Sequence, residues 1–194
     1  MSLLNALTEQ IGGQVLQGLA KNIGADEGVT GAAISAAIPM IVGALAKNAS
    51  TDDGAASLSN ALQKDHDGSI LDNLGGFLSQ SDNGPGGAIL GHVFGQKRGG
   101  IESALSQITG LNSGQSGNLL ENLAPVILGQ LGRTQKSQGL NPADLAGLLA
   151  GESQQQSQGA GSPVMDILGK VLDQDGDGSM LDDIGGLLGG FLKR

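Results

Sequence analysis

The stretch 61–78, ALQKDHDGSILDNLGGFL, returns later in the chain as 171–188, VLDQDGDGSMLDDIGGLL, with ten of eighteen positions identical and no gap. An internal repeat constrains a fold strongly, because each copy is expected to build the same local unit and to bury its apolar face against a neighbour. A weaker correspondence precedes it. Ile38-Pro39-Met40-Ile41-Val42-Gly43 aligns with Ala124-Pro125-Val126-Ile127-Leu128-Gly129, and Lys47 aligns with Arg133. The two offsets differ by an insertion at about 137–162. The chain therefore reads as unit one, residues 1–84, and unit two, residues 85–194.

Both units carry helical periodicity. Leu3, Leu4, Leu7, Ile11, Val15 and Leu19 fall three or four residues apart, with Ser2 as N-cap. A second helix is expected from Asp26 or Thr30 to Lys47. A third follows Ser50-Thr51-Asp52-Asp53 and carries Leu58 and Leu62. Gly84-Pro85-Gly86-Gly87 is a break. Further helices are expected at 88–94, at 101–108 and from Asn112 or Ser113 onward. Another starts at Asn141-Pro142, where Asn caps and Pro takes the first turn. The polar, repetitive stretch 151–162, GESQQQSQGAGS, reads as a flexible linker. Ser162-Pro163 then opens a helix, and a final one ends at Lys193-Arg194. Strand signals are weak, so the expected class is all-α, multihelical. Pro39 and Pro125 lie inside apolar runs, where each either bends a helix or begins a new one.

The core must be aliphatic, since the chain has no Trp, Tyr or Cys and only three Phe. Its 35 Gly lie mostly within apolar segments. Gly in a helix costs about 0.5–1 kcal/mol relative to Ala, so close helix approach is expected in return, a marginal fold being the alternative. Without Cys there is no disulfide framework. The net charge of −9 argues against nucleic acid and anionic membranes, both of which attract basic surface. The apolar run 32–46 is interrupted by Pro39 and shorter than the roughly 20 residues of a membrane span. It reads as a buried core helix. The opening residues lack a basic region of the secretory kind, and a cytoplasmic location is expected.

Within the repeat lies the chemistry-bearing pattern. In 173–183, DQDGDGSMLDD, carboxylates stand at the first, third and fifth positions and Gly at the sixth. That is the first half of an EF-hand loop, in which alternate side chains converge on calcium. Position twelve is Ile184 rather than Glu. A loop shortened by two residues would let Asp182 close the site and the Ser179 carbonyl serve as the central backbone ligand, Asp183 being the poorer closing residue. The expected ligands are thus Asp173, Asp175, Asp177, Ser179 and Asp182. The competing reading is a helix cap, Ser179 at N-cap and Asp182 at N3. In unit one a weaker site would use Gln63, Asp65, Asp67, Ser69 and Asp72, with His66 exposed to solvent.

Enzyme signals are poor. The two His, His66 and His92, belong to no nucleophile–base pattern, and His92 reads as a core or interface residue. No H-E-x-x-H, G-x-S-x-G or phosphate-binding G-x-x-x-x-G-K is present. Two functions compete: a non-enzymatic calcium-binding protein, and an interaction or self-association module whose Asp loops are only caps. A membrane-active role for the amphipathic end, 184–194, is disfavoured by the acidic charge.

The segments MSLLNALTEQIGGQVL, ALAKNAST, DHDGSILDNLGGFL, ILGHVFG and DQDGDGSMLDDIGG together resemble the YidB-like family, domain of unknown function 937. The resemblance covers most of the chain and implies a multihelical bacterial protein. It implies no catalytic activity and carries over no functional residue.

Overall fold

The computed structural model describes residues 6–7, 11–79 and 84–157. Ser2, the loop 173–183 and both helices expected beyond Ser162 lie outside the described residues, as does 158–162 of the expected linker. Among the described residues all regular structure is helical.

Helix α1 spans Gly13–Ile23 and α2 spans Glu27–Asn48. Helix α3, Asp52–Asp65, leads into a 3-10 turn, Ser69–Asn73, and the short α4, Leu74–Ser79. Beyond the Gly-Pro break, α5 is Gly86–Phe94 and α6 is Arg98–Thr109. The longest helix, α7, is Ser113–Gln138, and α8 is Pro142–Ser157.

Side-chain caps set the starts of α2, α3, α7 and α8. The Asp26 carboxylate accepts from Gly28 N at 2.8 Å, and Thr51 Oγ1 accepts from Gly54 N at 3.1 Å. Asn112 and Gln115 form a reciprocal capping box at 2.9 and 3.0 Å. Asn141 Oδ1 accepts from Ala143 N and Asp144 N. Each bond satisfies a first-turn amide that has no intrahelical partner. Helices α1 and α6 both end on a left-handed glycine, Gly24 and Gly110, two residues before the caps Asp26 and Asn112.

Two sequence expectations are corrected, and the alternative left open for the prolines is decided. The apolar rhythm from Leu3 to Leu19 is not one helix, because Gly12 is extended and α1 begins after it. Pro39 and Pro125 start no new helix; each lies inside a continuous one. And 151–157 is the end of α8, not linker. The Gln and Ser side chains there have adequate helix propensity; Gln154 and Gln155 are exposed, and Glu152 is buried.

The core is built on α2 and α7, which touch each other. Helix α2 is apolar almost all round and is enclosed by α1, α5, α6, α7 and α8. Its Ala33, Ala37, Met40, Ile41 and Val42 are fully buried. It is the one helix among the described residues long and apolar enough to cross a membrane, and its surroundings make it the centre of the bundle. Helix α7 buries Leu119, Leu120, Leu123, Ile127 and Leu131 completely. The helices interleave across the Gly-Pro break: α3 packs on α7, and α8 packs on α2 and α3. Gln115 at the start of α7 donates to the Gly24 carbonyl at 2.9 Å, and one apolar cluster runs from Leu7 to Leu149.

Candidate functional site at the first Asp loop

Helix α3 ends at Asp65, and the chain from His66 to Asn73 folds back onto α7. Gly68 adopts φ +94° at the turn, a conformation that L side chains rarely take. The approach to α7 is as close as backbone allows. A Cβ on Gly132 would overlap the His66 carbonyl, and one on Gly68 would lie 2.8 Å from Arg133 Cβ. Leu71 drops into the core at 5% exposure, anchoring the turn.

Polar groups then fix the loop. Asp67 Oδ1 accepts from Ser69 N at 3.0 Å. The Ser69 backbone bond, followed by the Ser69 hydroxyl, holds the Asp67 carboxyl below its ordinary range, since a donor favours the charged form. The Gly68 carbonyl accepts from Leu71 N at 3.1 Å and from Arg133 Nη2 at 2.9 Å. The same guanidinium nitrogen donates to Asp72 Oδ1 at 2.5 Å.

The five residues proposed for the weaker ion site are therefore distributed as follows. Asp72, expected to close an ion shell, is turned to Arg133. Asp67 is engaged with Ser69, whose own backbone N–H points to that carboxylate. Gln63 Nε2 donates to Ser59 Oγ at 3.4 Å, and Asp65 is exposed at the end of α3. Among the described residues no three His, Cys, Asp or Glu side chains are gathered to hold an ion, Asp65, Asp67 and Asp72 included. The first site's residues, Asp173, Asp175, Asp177, Ser179 and Asp182, lie outside the described residues.

Beside the loop opens a cleft of about 470 Å³ lined by Leu62, Gln63, Asp67, Gly132, Gln135, Lys136, Gly139 and Leu140. Its floor is ordered by Gln135 Nε2 donating to Ser59 Oγ at 2.6 Å, both residues being buried. The lining mixes amides, one carboxylate, one ammonium and two Leu. Such walls supply backbone-like donors and acceptors with apolar contact, and hold no nucleophile–base pair.

For the two His residues, the expected exposure of His66 and the core alternative for His92 are corrected. His66 is partly buried, and burial pushes its imidazole below the usual range while Asp65 opposes the shift. His92 is exposed on α5 rather than in the core.

Two ion clusters were missed in the sequence. Arg133 was legible only as the counterpart of Lys47. Arg98 binds Glu102 at 2.6 Å and Glu121 at 2.5 Å, and donates to the Gly87 carbonyl at 3.3 Å, tying α5, α6 and α7. These bonds raise the Arg98 guanidinium above its already high range. Its i,i+4 spacing to Glu102 was the available signal; Glu121 is too distant in sequence to be found that way.

A family described as bacterial protein of unknown function, domain of unknown function 937, matches residues 5–134. No curated protein and no solved structure matches the chain.

Proposed function

From its membership of that bacterial family of unknown function, shown by a match over more than half of the chain, we propose that the protein is a non-enzymatic helical interaction module. Its Asp loops are docking elements, and the cleft beside the first is the surface offered to a protein partner. The observation that carries the reading is the Arg133 guanidinium, which bridges the Gly68 carbonyl and the Asp72 carboxylate. A fixed side-chain cation there meets the electrostatic need that a bound ion would otherwise meet. The interaction is intramolecular, between the end of unit one and the long helix of unit two.

This reading includes the two-unit organisation. It is supported by the matched glycine caps Gly24 and Gly110, the N-caps Asp26 and Asn112, the fully buried hydroxyl residues Thr30 and Ser116, and Pro39 and Pro125. Calcium keeps its sequence argument on the richer loop, 173–183, where Asp173 stands in place of Gln63. A cytoplasmic setting fits the acidic charge.

Hydrogen exchange on the full chain, with and without millimolar calcium, tests the docking reading. The amides of 67–73 should exchange at the same rate in both conditions and faster in Arg133→Ala. Calcium-dependent protection of those amides, or none lost in the variant, overturns it.

A further inference from the structure

Helix α2 carries a counterpart of the face on which α7 receives its Asp loop, and among the described residues no Asp loop covers it. On α7 that face is Gly129, Gly132 and Arg133, one stripe at helical spacing. The first Asp loop covers it, with Ile70 Cγ2 against the position of a Gly129 Cβ and the His66 carbonyl against Gly132. The matching residues of α2 are Gly43, Ala46 and Lys47. The caps and prolines of α2 and α7 stand in the same register as these residues, so the correspondence does not rest on sequence identity alone. A Cβ on Gly43 would meet nothing within 4 Å. Lys47 is exposed, and among the described residues its ammonium makes no ion pair.

We infer that this face is the docking site of the chain's own second Asp loop, 173–183, an inference that rests on the docking reading of the first. Three observations select this occupant. Helix α8 packs on α2, so the chain leaves α8 beside the helix that carries the face. The chain continues for 37 residues past Ser157, as 158–194, and the stretch between Ser157 and Asp173 can reach about 50 Å if extended. Charge is complementary, since the loop carries Asp173, Asp175, Asp177, Asp182 and Asp183 and the face offers Lys47.

In this docking, Lys47 takes the place of Arg133, between the Gly178 carbonyl and the Asp182 carboxylate, and Met180 lies over Gly43. One difference is compensated. Ala46 carries a Cβ where α7 has Gly132, and the residue arriving there is Gly176 in place of His66, so the backbone is free to turn its carbonyl aside.

The chain has no Cys, which makes disulfide trapping clean. Gly43→Cys combined with Met180→Cys should close an intramolecular disulfide under mild oxidation, mapped by mass spectrometry. It should close about tenfold faster than Ser35→Cys combined with Met180→Cys, because closure demands Cα atoms within about 7 Å. Adding Lys47→Glu, at an exposed position, should slow closure, and Asp182→Lys should restore it. Equal closure at Gly43 and Ser35, or disulfides formed only between two chains, overturns the inference. The exchange of 67–73 reads the first loop separately, so failure here and failure of the docking reading are distinguishable.

Discussion

Gly132 and the carbonyl of His66 occupy one space: any side chain on residue 132 would begin inside that oxygen. The Asp loop is thus pressed onto α7 at a point where two backbones meet, and the seam tolerates no added atom.

Gly132→Ala should therefore destabilise the protein by about 1–3 kcal/mol, as overpacking of a fixed backbone contact does. Gly147→Ala on α8 should do the reverse. A Cβ there meets nothing within 4 Å, and replacing an exposed helical Gly gains about 0.5–1 kcal/mol. Urea denaturation of both variants gives the comparison, and equal effects would count against the close approach.

The Arg133–Asp72 pair is worth less than its geometry suggests. Its side chains are 41% and 74% exposed, and exposed pairs typically contribute about 0–1 kcal/mol. A double-mutant cycle with Arg133→Gln and Asp72→Asn should return a coupling in that range. The Arg133 single variant should lose more, because it also strips a donor from the Gly68 carbonyl. A single-variant loss no larger than the coupling would show that the carbonyl bond adds nothing.

His66 gives the loop a pH response. Burial lowers its folded value below the ordinary one near 6.5, so the unfolded chain takes up the proton first. Stability that is intact above about 6.5 should fall as pH drops through that value toward the lower folded one. Melting temperatures between about pH 7.5 and 5.5 should decline in the wild type and decline less in His66→Gln. The Asp67 carboxyl, also held low, acts in a separate window. Its contribution is present above 3.8 and is lost as pH falls further, through its folded value.

The buried bond from Gln135 to Ser59 joins α7 to α3 at the floor of the cleft. Ser59→Ala leaves Gln135 Nε2 only a 3.4 Å contact with the Leu140 carbonyl. The expected cost is about 1–3 kcal/mol, the desolvation of a buried donor left poorly paired. Thermal unfolding measures it, and a loss below the range would mean that solvent from the cleft replaces the hydroxyl.

What was readable in the sequence was local. Asp26, Thr51, Asn112 and Asn141 announced their helices because a cap involves residues two or three apart. The end of α8 was misread because composition stood in for propensity: Gln154 and Gln155 are exposed there, and Glu152 is buried. The Asp loop was recognised as a unit, yet its partner was not. Arg133 lies 61 residues from Asp72, and spacing within a loop says nothing about which distant side chain supplies its counter-charge. The family resemblance, by contrast, rested on contiguous segments and is borne out.

The interleaving of α3 on α7 and α8 on α2 means that the glycine-proline break does not divide the fold. Each half keeps its own long helix but lends its next helix to the other, so neither half alone can cover what it exposes. A chain severed at that break should yield two pieces that gain structure only when mixed, and that recombine into a single cooperative body. Assembly of this kind makes the protein its own first binding partner, with the association between the halves built into one polypeptide.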